Sequence, residues 1–273
     1  MILALLVITV VSVIILKVTH RKTEQTATVD ATVSSAPKAE QTVLNEIDQE
    51  EPADEDPIET EEVPEYSEGT VLLSPETIPE YRGEISTVLG NDSPNFTEYE
   101  VRNTTGEHYS DLDRLGRCGS AYAMIDESLM PTEERGSIGQ VKPSGWNQEK
   151  YPGYVNSDPP YLYNRCHLIA YSLTGENANE RNLITGTRYF NTEGMLPYEM
   201  QVLDYLNDTG NRVLYRVTPY FKDKELVARG VELEAYSVED RGRGISFHVF
   251  IYNVQPGIDI NYADGSSKVR TEN

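Results

Sequence analysis

A histidine is followed along this chain by two asparagines and a glutamate, and these side-chain types together can support hydrolysis. His167 ends the run Asn164-Arg-Cys-His, and Asn182, Asn191 and Glu199 come after it. A histidine can take a proton from water, while an amide oxygen and a nearby carboxylate can hold a divalent metal and its hydration shell. Hydrolysis of a phosphodiester bond requires both functions. The pattern therefore predicts a site for metal-assisted phosphodiester hydrolysis.

Three elements are predicted to position these residues. Residues 161–171 contain apolar positions typical of a strand that leads into a loop, so His167 is expected at an ordered strand end. A second strand is predicted over residues 183–187. A helix is predicted from Pro197, a residue favoured in the first helical turn, to near Gly210, a residue favoured just after a helix ends. Strand, loop, strand and helix form a compact ββα unit, in which base and metal ligand face each other across a cleft.

The rest of the folded region is predicted to be rich in strands. Alternating apolar and polar residues indicate strands at residues 118–125, 212–221, 226–238 and 246–254. The last three follow one another closely, which is typical of an antiparallel meander. The predicted fold class is α+β, with a mainly antiparallel central sheet beside the ββα unit.

The run Asn164-Arg-Cys-His resembles the Asp-Arg-Gly-His signature of the DNA/RNA non-specific endonucleases. These are the ββα-metal, or His-Me finger, nucleases. The resemblance extends beyond four letters, because the family has an asparagine after its histidine, a second asparagine nine residues later and a glutamate eight residues beyond that. Asn182, Asn191 and Glu199 keep this spacing. The resemblance covers roughly residues 115–254.

The resemblance implies a role for each matching residue. His167 corresponds to the general base that takes a proton from the attacking water, and Asn191 to the single protein ligand of a Mg²⁺, for which Mn²⁺ could substitute. Glu199 corresponds to a carboxylate that hydrogen-bonds the metal-bound waters, and Asn182 would brace the site. Mg²⁺ retains much of its hydration shell, so one neutral amide oxygen suffices as its protein ligand. No organic cofactor is expected.

Four basic residues are candidates for contacts with phosphate. Arg135 lies upstream of His167 at about the separation of a family arginine that contacts the scissile phosphate, and a planar guanidinium can neutralise charge on phosphate oxygens. Arg165, Arg188 and Lys142 are candidate contacts to the nucleic-acid backbone. Solvated surface charge is the alternative for these three.

The chain departs from the signature at two positions and has two cysteines. Asn164 replaces the aspartate and Cys166 replaces the glycine, which alters the loop around the predicted base. The other cysteine is Cys118, and both a disulfide and buried free thiols are open alternatives. A nucleophilic pair of Cys166 with His167 is disfavoured, because adjacent side chains on a strand point to opposite faces.

The N-terminal part differs in composition from the rest. Residues 1–16 are almost entirely apolar, so residues 1–22 are predicted to be a membrane anchor or signal segment, with a retained anchor favoured. Residues 23–68 are rich in Thr, Ala, Pro, Glu and Asp and are predicted to be a disordered acidic spacer. Residues 69–273 are assigned to the nuclease domain.

The charges near the N-terminus bear on the side of the membrane where the folded domain lies. Lys17, Arg21 and Lys22 follow the apolar run, and positive charges there would favour a cytoplasmic location for this domain. A cytoplasmic nuclease would attack its own host, however. The domain is therefore expected outside the cytoplasm, membrane-anchored or secreted.

The charge of the chain is unusual for a protein that binds nucleic acid. The formal net charge is −22, with −11 in residues 1–68 and −11 in residues 69–273. Lys and Arg contacts to phosphate usually supply most of the binding free energy. A local basic cluster and metal ions would have to attract the substrate here.

The combined prediction is a metal-dependent endonuclease without sequence specificity, acting on DNA, with RNA as a further candidate substrate. Two alternatives are open, of which the first belongs to another functional class. One is a non-catalytic nucleic-acid-binding or adhesion module with the same fold. A module that had lost activity, however, would have no chemical reason to keep His167, Asn191 and Glu199 together. The other is a toxin delivered to competitors, for which the chain offers no delivery domain.

Overall fold

The computed structural model describes residues 73–271. The predicted anchor, residues 1–22, and the predicted spacer, residues 23–68, lie outside the described residues, so both assignments stay predictions. Within residues 73–271, no helix has the length and apolar character needed to cross a membrane.

A six-stranded antiparallel sheet forms the centre of the described part. Its strands lie in the order β1-β8-β7-β6-β3-β2. These strands are β1 (Ser86–Val88), β2 (Gly106–Tyr109), β3 (Ala121–Ile125), β6 (Val213–Tyr220), β7 (Gly230–Ser237) and β8 (Ser246–Tyr252). The predicted meander is confirmed, since β6, β7 and β8 are consecutive neighbours.

Both faces of this sheet are covered. One face contributes residues such as Tyr215, Leu233 and Val249 to the main core. On the other face, Phe250 belongs to a second apolar cluster, against which Leu73 packs. Because both faces are covered, every residue of β7 except one is buried.

The ββα unit packs beside this sheet. Strands β4 (Tyr163–His167) and β5 (Leu183–Thr187) pair as a separate antiparallel ribbon. A π-helical turn, Phe190–Met195, follows and leads directly into helix α3, Leu196–Thr209. Pro197 lies in the first turn of α3, and Gly210 ends the helix with a positive φ of 67°. The predicted α+β fold with an antiparallel central sheet is thus confirmed.

Some boundaries differ from the prediction. The strand expected from residue 226 begins at Gly230, because the backbone N–H groups of Leu226 and Val227 donate to the carbonyl of Tyr262 instead of joining the sheet. The strand expected from residue 118 begins at Ala121. The helices α1 (Glu98–Asn103) and α2 (Tyr171–Thr174) and the strands β1, β2, β9 (Ile258–Ile260) and β10 (Ser267–Val269) were not predicted.

The two cysteines are buried free thiols, so the disulfide alternative is wrong. Cys118 donates from Sγ to the carbonyl oxygens of Glu180 and Leu183, each at 3.3 Å. These contacts tie the segment before β3 to the start of β5.

Candidate active site

Strand β4 places His167 at its C-terminal end, as expected, and directs its neighbours to opposite sides. Side chains alternate along a strand, so Arg165 and His167 share one face. Both line a cleft, whereas Cys166 is fully buried in the main core. The side chains of Cys166 and His167 therefore cannot act as a nucleophilic pair.

A glycine on the neighbouring strand accommodates the side chain of Cys166. A Cβ atom at Gly186 would lie 2.5 Å from Cys166 Sγ and 2.6 Å from the ring of Phe190. That space is too small for any side chain. Cys166, which the resemblance aligns with a glycine, thus fills a volume left open on β5, and β4 keeps its regular pairing with β5.

Hydrogen bonds define the tautomer of His167. Its Nε2 lies 2.8 Å from the carbonyl oxygen of Asn177, which can only accept, so Nε2 carries the proton. Its Nδ1 lies 3.2 Å from Arg135 Nη2, which can only donate. The two partners therefore agree on a neutral ring with a lone pair on Nδ1. Nδ1 is the atom able to accept a proton.

The surroundings of His167 keep the ring neutral. The side chain is buried, and burial lowers its pKa to about 4 because a charged imidazolium would lose its hydration. The hydrogen bond to Asn177 opposes this effect, and the positive charge of Arg135 adds to it. At neutral pH the proton-accepting form is therefore fully populated.

Asn182 anchors the chain just beyond His167. It is fully buried, its Oδ1 accepts from the backbone N–H of Ile169 at 2.9 Å, and its Nδ2 donates to the carbonyl oxygen of Ile169 at 3.0 Å. One amide thus satisfies both backbone groups of a residue that is in no regular element. This contact is of the kind expected for a bracing residue.

Asn191 and Glu199 reach the same cleft from the π-helical turn and from the helix α3 that follows it. Asn191 lies in the π-helical turn, where its carbonyl accepts from the N–H of Leu196, five residues later. Such turns widen a helix locally and are frequent at functional sites. Glu199 lies in the first turn of α3. Burial raises its pKa to about 7, and the positive charge of Arg135 partly opposes the rise.

The cleft, of about 650 Å³, brings together most of the predicted site residues. Those that line it are Arg135, Arg165, His167, Arg188, Asn191 and Glu199. Lys142 does not line it, and Asn182 is buried behind it. Three arginines at one cleft provide the local positive charge that the acidic domain needs to attract an anion.

The donors and charges of this cleft fit a divalent metal. Asn191 offers an amide oxygen and Glu199 a carboxylate, and hard cations such as Mg²⁺ prefer oxygen ligands. A cation there would also stabilise the ionised form of Glu199. Among the described residues, the other group of potential ligands is Glu232, Glu234 and His248.

That second group is an internal ion-pair network. His248 Nε2 lies 2.6 Å from Glu232 Oε1, and Arg216 Nε lies 2.8 Å from Glu234 Oε2. Burial alone would lower the pKa of His248, but the hydrogen bond to Glu232 and the nearby carboxylates raise it. Each buried carboxylate therefore already has a basic side chain as its partner.

Sequence reasoning missed the role of Asn177. Its backbone carbonyl orients His167. Any residue type supplies a carbonyl, so no sequence signal marks this position. The amide oxygen of Asn177 is also buried, without a hydrogen-bond partner in the described part of the chain.

Comparisons with known proteins agree with the α+β fold of this chain. A family model described as DNA/RNA non-specific endonuclease matches residues 96–239. The structure of NucA from Streptococcus agalactiae with magnesium ion bound is 27% identical, with a TM-score of 0.58, and the alignment covers 67% of this chain and 87% of that chain. The structure of the same nuclease with no metal bound has a TM-score of 0.59 at 27% identity, with 71% and 92% covered.

A third structure, of Sda1 nuclease with bound zinc ion, is 25% identical, with a TM-score of 0.56, and the alignment covers 69% of this chain and 97% of that chain. No curated protein matches this chain significantly. The family match spans more than half of the sequence and includes β4, β5 and α3. The chain therefore belongs to the DNA/RNA non-specific endonuclease family.

Proposed function

We propose that this chain is a metal-dependent endonuclease that hydrolyses phosphodiester bonds of DNA, and of RNA, without sequence specificity. The observation that carries the proposal is a neutral, buried His167 whose Nδ1 lone pair faces the cleft arginine Arg135, with Asn191 and Glu199 lining the same cleft. A proton acceptor, a cation to bind phosphate and oxygen ligands for a metal are the parts that phosphodiester hydrolysis requires.

In the proposed reaction, His167 Nδ1 takes a proton from water as the water oxygen attacks phosphorus. A new P–O bond forms, the bond to the leaving oxygen breaks, and a solvent water protonates that oxygen. The carbonyl of Asn177 holds the ring during the transfer, because it continues to accept from Nε2 as charge develops. Asn182 supports this arrangement by fastening the backbone at Ile169.

Arg135 has to move for this step. Its Nη2 occupies the Nδ1 lone pair that the attacking water needs. A substrate phosphate in the cleft offers two anionic oxygens, a stronger partner for a guanidinium than a neutral imidazole. We therefore assign Arg135 to the scissile phosphate. Arg188 lines the cleft and is a second candidate for phosphate contact.

Mg²⁺ is the metal we propose, with Mn²⁺ as a substitute, and when bound it supplies positive charge to the phosphate and leaving oxygens. Asn191 would hold it directly through Oδ1. Glu199 would hold its water ligands in place through hydrogen bonds. The magnesium in the NucA structure and the zinc in the Sda1 structure support a divalent metal.

We also propose that the domain works outside the cytoplasm, tethered or released through its N-terminal segment. The apolar residues 1–16 support this, as does the damage that an unrestrained nuclease would do to its host. A separate nuclease domain would then begin near residue 69.

Incubating the full chain, solubilised in mild detergent, with supercoiled plasmid tests the proposed function. We expect nicked and then linear DNA in the presence of Mg²⁺, and no cleavage when a chelator is added. Intact plasmid at every Mg²⁺ and Mn²⁺ concentration would contradict the proposal and favour a non-catalytic binding module.

The pH dependence of plasmid cleavage should distinguish the titration of His167 from that of Glu199. Neutral His167 predominates above its pKa of about 4, so at saturating Mg²⁺ the rate should persist at pH 5.5 and fall only toward pH 4. Glu199 gains a proton below about pH 7 and loses its charge, so the Mg²⁺ concentration for half-maximal rate should increase as the pH falls through 7. Mg²⁺ titrations at pH 5.5, 7 and 8 measure both effects. A rate that falls near pH 6.5 at saturating Mg²⁺ would show that the base titrates as an ordinary histidine.

The acidic spacer should provide reach and no chemistry. Deleting residues 23–68 is expected to leave the specific rate of plasmid cleavage within about twofold of the full chain, because a segment of this composition contributes no packed structure. Rates of both proteins in the same detergent provide the measurement. A large loss would show that the spacer is part of the folded domain.

A further inference from the structure

Arg165 is held in an unusual way at the wall of the cleft. Its Nε donates to the carbonyl oxygen of Val141, and its Nη2 donates to that of Gly139 at 2.8 Å. The guanidinium carbon lies over the ring of Trp146, 4.2 Å from its centroid. The group is thus fixed by two hydrogen bonds along one edge and by a cation–π contact with the indole.

These contacts limit what Arg165 can offer to a ligand. The edge formed by Nε and Nη2, one of two that can bind a phosphate bidentately, is occupied by loop carbonyls. Because Arg165 and Trp146 both line the cleft, a ligand can reach the guanidinium face turned away from Trp146 and the second edge, formed by Nη1 and Nη2. A flat, cationic, immobile face favours a flat, electron-rich group.

We propose that Arg165, backed by Trp146, is a stacking platform for an unpaired nucleobase next to the scissile phosphate. Nucleobases stack on arginine planes and on aromatic rings in proteins that bind single strands. Arg165 and His167 are two residues apart on one face of β4, which separates them by about 7 Å. A base adjacent to the phosphate attacked near His167 can therefore reach the platform.

This inference rests on the proposed function and adds a substrate preference to it. Every base has a π face, so a stacking platform tolerates all sequences. Bases within a duplex are already stacked and are not available to the platform. We therefore expect this nuclease to bind and cleave single-stranded or locally unpaired nucleic acid in preference to continuous duplex.

The single tryptophan of the chain provides a direct probe, since all indole fluorescence comes from Trp146. The full chain in detergent, with a chelator to prevent cleavage, is titrated with three short oligodeoxynucleotides: single-stranded, fully duplex, and single-stranded with every base removed. Fluorescence anisotropy of a dye on each oligonucleotide gives its affinity independently.

We expect the single strand to change Trp146 emission and to bind roughly tenfold or more tightly than the abasic strand, which carries the same phosphates. The duplex should give a smaller emission change. Equal affinities for the normal and abasic strands would overturn the platform and show that Arg165 contacts phosphate only.

Arg165→Lys keeps the positive charge and removes the plane, so it should abolish the preference for bases. Arg229→Lys is the matched control, because Arg229 lies 4.1 Å from the ring centroid of Tyr262 in a similar pair that does not line the cleft. That variant should keep the wild-type preference. Trp146→Phe, which keeps an aromatic support beside Arg165, should retain most of the preference in the anisotropy assay.

Retained base preference in a folded Arg165→Lys variant would contradict the platform. Loss of that preference in Arg229→Lys would contradict it too. The rate of plasmid cleavage with Mg²⁺ separates the two proposals. If the wild-type chain cleaves plasmid but shows no base preference, the platform alone is wrong, whereas a chain that cleaves nothing contradicts the proposed function.

Discussion

Replacing His167 by alanine is expected to lower the rate of plasmid cleavage by about 10²- to 10⁴-fold, the contribution typical of a positioned general base. The physical reason is the lone pair on Nδ1, which the hydrogen bond from Nε2 to Asn177 maintains. The loss should appear in the maximal rate at saturating Mg²⁺ and substrate. The rate of conversion of supercoiled to nicked plasmid, measured against wild type, checks it.

His108→Ala is the matched control for this variant. His108 is exposed on β2 and does not line the cleft, so its removal should leave the rate unchanged. Circular dichroism should show the same secondary structure for both variants. Near wild-type nicking by His167→Ala would remove the assignment of this residue as the base.

Replacing Asn191 by alanine is expected to raise the Mg²⁺ concentration for half-maximal rate by at least tenfold and to lower the maximal rate. In the proposed site the metal would lose its one direct protein ligand and be held only through water. A Mg²⁺ titration of plasmid cleavage measures both quantities. Asn207→Ala is the control, because Asn207 is an exposed residue of α3.

Glu199→Ala should show a milder defect of the same kind, because in the proposed site Glu199 acts through metal-bound water. Asn191→Ala should show the larger of the two defects, and this order is the main test of the proposed metal site. If Asn191→Ala saturates at the wild-type Mg²⁺ concentration with the wild-type rate, the metal is held elsewhere.

The elements that carry the site were predictable because local signals agree with the tertiary structure. Short apolar segments indicated β4 and β5, while Pro197 and Gly210 marked the ends of α3. The spacing of His167, Asn191 and Glu199 along the sequence then placed all three in the ββα unit. The cleft they share follows from the ββα arrangement.

Other features depend on contacts that no local pattern encodes. The carbonyl of Asn177 that orients His167 could belong to any residue, and the hydrogen bond between Arg135 and His167 joins positions far apart in sequence. The π-helical turn that holds Asn191 lacks a sequence signature. The engagement of Arg165 by loop carbonyls depends on the path of a loop.

The structural effect of a cysteine at the glycine position of the signature could not be predicted from the sequence motif alone. A cysteine in place of glycine suggested a disturbed loop, yet the compensating residue is Gly186, which lies twenty positions away and adjoins it only once β4 and β5 pair. The altered motif is therefore compatible with an intact strand and a correctly directed His167. Asn164, the other predicted departure, is one of the residues that line the cleft.

Chemical rescue tests the central claim most directly. His167→Gly removes the base and leaves a space beside Arg135 that a free imidazole can enter. With saturating Mg²⁺, plasmid cleavage by this variant should rise with imidazole concentration and follow the fraction of neutral imidazole as pH changes. The opposite result is a His167→Gly variant that stays inactive at every imidazole concentration while it remains folded and binds oligonucleotide. That result would contradict proton abstraction by His167.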